Sequence, residues 1–227
     1  MNALVFGGEG AIGAAACSKL ADERFAVLTS SRTPGSADLC IDPIAEPSTL
    51  TALDDLQPLG AVVWAQGANL NDSAHGVDVV ALGQMIDANV TFIAATLAHL
   101  LSRELLAANA SLVVVSSIWE SIARPGKFSY SVSKAAVGGL VRAAAADLAA
   151  DGHRVNAVLP GVTDTPMTRA MLDADQLGAV TSATGFGRLV SLDEVAATIA
   201  WLCSAQSSGI NGQSLTVDLG FSNVRSI

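Results

Sequence analysis

Along this chain, compact runs of apolar residues alternate with longer stretches in which apolar positions recur at helical spacing, and glycines or polar turns mark most boundaries. Residues 2–6 read as a strand, and "AIGAAACSKLADE" (11–23) as a helix entered through a glycine-rich turn. "FAVLTSS" (25–31) is a second strand, stopped by the Pro and Gly of "RTPGS", and "ADLCID" (37–42) is a third. A short helix is expected at 47–56, then a fourth strand, "GAVVWAQG" (60–67), that closes on glycine. Residues 77–108 are apolar at helical periods and free of proline, so they predict one long helix, followed by the strand "ASLVVVSS" (110–117). A helix of many small residues over 130–150, a sixth strand at 153–160 and a last strand at 214–218 continue the alternation. Before that last strand, a helix at 191–205 carries its own start signal, Ser191 as N-cap with Glu194 at the third helical position. The least regular stretch is 161–190. Strands joined by helix-length connections pair in parallel through crossovers, which requires helices on both faces of one sheet. The pattern therefore predicts a doubly wound α/β fold with a parallel sheet of about seven strands.

Composition narrows the class. At 227 residues and 23.0 kDa the chain is expected to form one domain over 1–227. A hydrophobic share of 51%, a charged share of 15% and a mean hydropathy of +0.47 exclude disorder, and part of the apolar surplus is expected to cover a subunit interface. A net charge of -9 and a pI near 4.6 exclude nucleic-acid backbone binding as the main activity, since that needs a basic footprint. Cys17, Cys40 and Cys203 lie far apart, without metal-ligand spacing, and read as reduced structural thiols; no metal is expected. No uncharged run that is apolar throughout reaches the roughly 18 residues of a membrane helix and no secretion signal opens the chain, so the expected location is cytoplasmic.

The first turn holds the first chemistry. "VFGGEGAIG" (5–13) sets Gly7, Gly8, Gly10 and Gly13 between a strand and a helix. Backbone amides and the positive end of a helix dipole suit a pyrophosphate there, and glycine lets it approach. GxGxxG at 8–13 is the dinucleotide-binding spacing, although ordinary tight packing also uses glycine turns. In such folds a carboxylate ending the second strand holds the adenosine ribose diol, whereas a nearby Arg accepts a 2′-phosphate. Here the strand ends Thr29, Ser30, Ser31, Arg32, which favours NADP(H) over NAD(H); a solvated Arg in a Pro-Gly turn is the alternative reading.

The second chemistry is "YSVSK": the one tyrosine, Tyr130, lies four residues before Lys134 and so on the same helical face. A phenol ordinarily titrates near pH 10, and a neighbouring ammonium favours its phenolate, which makes an acid–base pair of the two. Ser117 ends a buried strand at the carboxyl edge, where open α/β sheets bind ligands, and its hydroxyl can bond a substrate oxygen that Tyr130 protonates or deprotonates. With these residues, the glycine turn 7–13, "DANV" (87–90), "RVNAVLPGVTDTPM" (154–167) and "GINGQSLTVDLG" (209–220), the chain resembles the short-chain dehydrogenase/reductase family over nearly its whole length.

The resemblance implies a Rossmann fold and hydride transfer between nicotinamide C4 and a carbonyl or alcohol carbon. It makes Tyr130 the acid–base residue, Ser117 the donor to the substrate oxygen, Lys134 the group that lowers the tyrosine pKa and holds the nicotinamide ribose, and Asn89 the holder of a water in the proton relay. Asn89 could instead be a helix-kink residue satisfying backbone groups. For the cofactor it implies Gly7, Gly10, Ala11, Ile12 and Gly13 at the pyrophosphate, Ser31 and Arg32 at the adenosine ribose, Asp42 at the adenine and Ala65 and Gly67 beside the ribose. Pro160, Gly161, Thr163 and Thr165 would orient the nicotinamide, beside Tyr130 and Lys134. Asp42 serves equally as a strand-end turn former. The chain departs from the family where Phe6 replaces the usual Thr, where Ala11 replaces the middle glycine, leaving Gly10 to take the strain, and where "WAQG" (64–67) replaces Asn-Asn-Ala-Gly. The link between the second and third strands is also too short for the usual helix.

The expected activity is thus an NADP(H)-dependent ketoreductase of a small or medium organic substrate. An NAD-dependent alcohol dehydrogenase and a non-catalytic dinucleotide-binding module are the alternatives; a sugar-nucleotide epimerase or dehydratase is disfavoured because little chain is left for a C-terminal substrate domain. At the substrate end, Trp119 is a wall residue or a core or interface residue, and Glu120 a polar recognition group or a solvated loop carboxylate. Met167, Met171 and Phe186 place a substrate loop or lid at 161–190. The 77–108 helix and the helix after Tyr130 are candidates for a helix-pair interface, and the resemblance implies a homodimer or homotetramer.

Overall fold

In the computed structural model, which describes residues 1–165, 168–169 and 172–224, strands β1 (Asn2–Phe6), β2 (Ala26–Ser31), β3 (Leu39–Cys40), β4 (Leu59–Trp64), β5 (Leu106–Val115), β6 (Arg154–Pro160) and β7 (Ser214–Val217) build one sheet. Their order is β3-β2-β1-β4-β5-β6-β7, with each neighbouring pair parallel. Winding reverses between β1 and β4, and the carboxyl ends there leave the crevice in which such sheets take ligands. The central strands are buried on both faces: all six residues of β4 are inaccessible, which is why it reads as an unbroken apolar run.

The helices are α1 (Ala11–Asp22), α2 (Val79–Ile86), α3 (Phe92–Ser102), α4 (Phe128–Leu148), α5 (Ala174–Ala183) and α6 (Leu192–Cys203). On one face, α3 and α4 bury Leu100, Val137 and Val141 against Leu4, Val62, Leu112 and Leu159. On the other, α1 and α6 bury Leu20, Val195 and Ile199 against Val5, Val63, Val113 and Val158. The alternation of side chains along each strand thus feeds two cores. Trp64 belongs to the first: it stacks on Phe6 at 5.8 Å, and its indole N–H donates to Thr96 Oγ1 at 2.8 Å. Helix α6 starts as expected, Glu194 N donating to Ser191 Oγ and Ser191 N to Glu194 Oε2. All three cysteines are free; burial pushes the thiols of Cys17 and Cys203 up to about 11 and about 12, which keeps them unreactive.

Several boundaries differ from the sequence reading, each for a local reason. The helix expected over 77–108 is α2, a π-helical turn at Asp87–Thr91, and α3, and it stops at Ser102 because Glu104 adopts a left-handed φ of 55°. The remainder is drawn into β5, which starts at 106 rather than 110 because Leu59 N donates to Leu105 O and Leu59 pairs with Leu106. Asn109, φ 59°, lies where the β4–β5 register shifts by three residues, from Leu59 opposite Leu106 to Ala61 opposite Ser111. The third strand shortens to two residues because Asp38 is turned back onto Thr29, accepting from its N and Oγ1 at 2.8 Å. The fourth strand ends at Trp64, the 47–56 helix is a 3-10 turn over Pro47–Leu53, and α4 begins at Phe128 rather than 130. Strand β5 ends at Val115, so Ser117 lies beyond it as the N-cap of a 3-10 turn, Ile118–Glu120. Within 161–190, α5 stands on a capping box of Asp173 and Gln176; Met167 and Met171 lie outside the described residues.

By length and composition alone, Val79–Ser102 could cross a membrane. Its middle is instead built into the protein, with Asn89, Phe92, Ile93, Thr96 and Leu100 all buried.

Candidate active site

The glycine turn is shaped by close approach. Gly7 carries the left-handed φ, +76°, and a Cβ there would lie 2.7 Å from Gln66 N. A Cβ on Gly13 would run into the Gly7 carbonyl, so the first turn of α1 sits against the strand end with no side chain between. Gly10 does not take the strain expected of it: at φ -73°, ψ 158° it is an ordinary extended N-cap, and its N–H donates to Gly7 O at 3.0 Å. Ala11 is therefore accommodated without rearrangement, and the amides of Ala11, Ile12 and Gly13 remain the free donors of the helix start.

Beside this turn, where Gln66 abuts Gly7, a cleft of about 390 Å³ lies past the carboxyl ends of β2, β3 and β4, lined among others by Arg32, Asp42, Gln66, Gly67, Ala68 and Ala88. Arg32 is exposed and, among the described residues, makes no ion pair; Ser31 Oγ accepts from Thr33 N at 3.0 Å, which sets the bend that presents it. Asp42 lines the cleft and also turns the chain, accepting from Ala45 N at 3.2 Å. Ala65 N donates to Phe6 O at 2.9 Å, which registers the loop after β4 against the glycine turn. Sequence reasoning missed Gln66: both polar atoms of its side chain are buried without a partner at the wall of this cleft. Its one signal was the departure from Asn-Asn-Ala-Gly. An orphaned amide at the wall and a turn in which a Cβ would clash fit a dinucleotide.

At the inner end of the cleft, the π turn buries Asn89. Its Oδ1 accepts from Ala68 N at 2.8 Å, while Nδ2 donates to Ala68 O at 3.1 Å and to Ser133 Oγ at 2.9 Å. The side chain therefore satisfies the loop backbone, as the kink reading expected, and it closes on Gly67, where a Cβ would lie 2.8 Å from Oδ1 and 3.8 Å from Lys134 Nζ. Extra turns of this kind recur at functional sites.

Helix α4 brings Tyr130 and Lys134 onto one face, the ammonium 5.7 Å from the ring centroid. Lys134 is buried and its Nζ donates to Val115 O at 3.2 Å; burial pushes it down to about 8, against an opposing pull from Glu120. The Ser117 hydroxyl favours the charged form of the phenol. Burial nonetheless holds Tyr130 above its ordinary range, and the Ser117 hydroxyl offsets only part of this, so the lowering expected from Lys134 does not prevail. The phenol keeps its proton at neutral pH, which suits it to act as an acid.

On the far side, Pro160 ends β6 and Gly161 N donates to Val217 O at 2.9 Å. Thr163 is buried, bonding Gly161 O at 3.1 Å, and Thr165 Oγ1 accepts from Thr168 N at 3.0 Å, so both hydroxyls hold the start of the 161–190 segment. Glu120 is not a solvated carboxylate: Oε1 accepts from Ser214 Oγ at 2.6 Å over Gly138, and Oε2 is buried without a partner. Trp119 meets Phe221 edge to face at 6.5 Å with Arg124 5.6 Å over its ring, and Phe186 is exposed. Sequence reasoning also missed Lys127, which is buried and has its Nζ 5.4 Å from the Tyr130 centroid; its spacing of three before the tyrosine was the available signal.

Comparison with known proteins agrees with this arrangement. The family model described as enoyl-(acyl carrier protein) reductase matches residues 51–222. A curated relative, cis-4-hydroxycyclohexanecarboxylate dehydrogenase of Sinomonas cyclohexanicum, is 33% identical over 98% of this chain and 96% of its own. Among solved structures, a short-chain type dehydrogenase/reductase from Mycobacterium ulcerans superimposes with a TM-score of 0.89 at 26% identity, covering 99% of this chain and 90% of that one. A gluconate 5-dehydrogenase from Burkholderia cenocepacia J2315 shares the fold, with a TM-score of 0.88 at 23% identity over 99% and 96% of the two chains. A glycine cradle, a serine, a tyrosine and a lysine gathered at one sheet edge, and a full-length relative thus lead to one assignment: the chain belongs to the short-chain dehydrogenase/reductase family and is an NAD(P)-dependent oxidoreductase acting on an alcohol or carbonyl carbon.

Proposed function

We propose that this chain is an NADP(H)-dependent ketoreductase, with 161–190 as the loop over its substrate. The observation that carries the reading is a half-buried, protonated Tyr130 whose phenol feels Ser117, just past the carboxyl end of β5, beside a buried Lys134. The glycine turn and Gln66 would hold the dinucleotide, with Arg32 and Ser31 at a 2′-phosphate. Once bound, its nicotinamide supplies the hydride. Ser117 donates a hydrogen bond to the substrate oxygen, and Tyr130 passes it the phenolic proton as negative charge develops there. Lys134, anchored on Val115 O, keeps a positive charge beside the phenolate left behind. Asn89 holds the 67–68 loop so that the cleft stays open beside the lysine.

NADP(H) is favoured because Arg32, which makes no ion pair among the described residues, directly follows β2, while the Asp38 carboxylate folded onto that strand is already engaged by Thr29 N and Oγ1. A fluorescence titration checks this separately from turnover. NADPH binds the wild type at least about tenfold more tightly than NADH, and Arg32→Ala removes that margin; equal affinities in the wild type would reject it. For the reaction, wild-type protein oxidises NADPH with at least one ketone, and Tyr130→Phe loses about a hundredfold or more while still binding NADPH. Undiminished turnover in Tyr130→Phe would remove the mechanism. The chain also assembles with copies of itself, as a homodimer or homotetramer.

A further inference from the structure

Lys127 has a role that the reduction chemistry leaves unexplained. It is 4% exposed, immediately before α4, and its Nζ donates to Asn69 Oδ1 at 2.6 Å. Among the described residues it forms no ion pair. The charges that reach it are two. Asp72 is committed to the start of α4, accepting from Ser129 N at 2.9 Å and from Ser129 Oγ. Arg124 has the same sign as the lysine, and together with burial it pushes Lys127 down to about 8, so the ammonium is still charged at neutral pH.

A buried, unpaired ammonium beside a guanidinium costs stability, and a neutral side chain could hold Asn69 without that cost. The two cations flank the catalytic group rather than the cofactor turn: Lys127 lies by the Tyr130 ring, and Arg124 lies over Trp119, two residues past Ser117. Trp119 and Phe221 supply an apolar wall next to them. Lys134 is already engaged with Val115 O, which leaves Lys127 for a different anion.

From this geometry we infer that Lys127, supported by Arg124, binds a carboxylate of the substrate, so that the chain reduces oxo acids in preference to neutral ketones. This rests on the proposed reduction. Acetoacetate, 4-oxopentanoate, 5-oxohexanoate and 4-oxocyclohexanecarboxylate are assayed with NADPH, each against its methyl ester. The best acid exceeds its ester in kcat/KM by at least about 30-fold, the factor expected of a buried charged hydrogen bond. In Lys127→Met and Lys127→Gln that ratio collapses, and in Lys127→Arg most of it is kept. No preference in the wild type, or an unchanged ratio in both neutral variants, overturns the inference. NADPH titration of each variant shows that it is folded. If no ketone of either kind is reduced, the reduction reading fails and calorimetry decides the subsite: cyclohexanecarboxylate binds wild type and not Lys127→Met if it exists, and binds both alike or neither if it does not.

Discussion

At the level of single residues, the site holds two buried lysines whose charge the surroundings oppose. Lys134 ordinarily titrates far above neutrality, and burial brings it to about 8. A lowered lysine pKa means that the unfolded chain binds the proton more tightly, so burial of Lys134 costs stability below about pH 8, and stability rises between there and its unfolded value near 10.5. Two outcomes follow. The rate of ketone reduction falls as pH rises through about 8, where the charge that stabilises the phenolate is lost; a flat profile to pH 9.5 would contradict this. Lys134→Met is inactive yet melts higher by roughly 2–4 °C in calorimetry, the shift for about 1 kcal/mol at this length. Tyr130, Lys134 and Ser117 were legible because their chemistry and spacing stand out in the sequence. Gln66 was not, since an orphaned amide is defined by what surrounds it, and Glu120 was misread because its partner, Ser214, is far away in the chain.

Among the elements, those with a local signal were read well and those decided by neighbours were not. The Ser191–Glu194 box announced α6, and Arg188 reinforces it with a 2.7 Å bond to Glu194 Oε1. Ser191→Ala should cost about 1 kcal/mol, measured as a lower urea midpoint with the slope unchanged. Glu194 is held down at about 2 by Arg188 and Ser191, so its contribution is present above its ordinary range and fades as pH falls toward 2. The early start of β5 had no such signal: "LAAN" is helix-forming by propensity, and pairing with Leu59 overrides it. The π turn was equally hidden, because its cause is the bonding of Asn89 to Ala68 and Ser133 in other elements. At the glycine turn, Gly13→Ala drives a methyl into the Gly7 carbonyl, and backbone cannot yield as a flexible side chain does. That variant loses at least about tenfold in NADPH affinity by titration, whereas Gly10→Ala, at an ordinary φ, stays within about threefold.

At the level of the whole molecule, the sheet gathers cradle, cleft and catalytic group on one edge and leaves apolar residues elsewhere without cover. Val79 is 74% exposed and Val80 70%, at the start of α2, and Phe128 and Val132, one turn apart on α4, are 38% and 41% exposed. Helices α2 and α4 pack beside each other, so these residues belong to neighbouring faces. Val79 and Val80 stand beside Asp78, whose carboxylate caps α2, so the apolar start of that helix is rimmed by polar groups, as association surfaces are. Burying such a face against a second copy would also remove these apolar side chains from water. In a symmetric pair each substitution is felt twice, so a charge on each helix is a severe test. Wild-type protein at micromolar concentration should scatter light as a multiple of 23.0 kDa, and Val80→Glu with Val132→Glu should shift it to 23.0 kDa. A wild type that is monomeric from the outset would leave those valines as exposed surface and remove the assembly from the proposal.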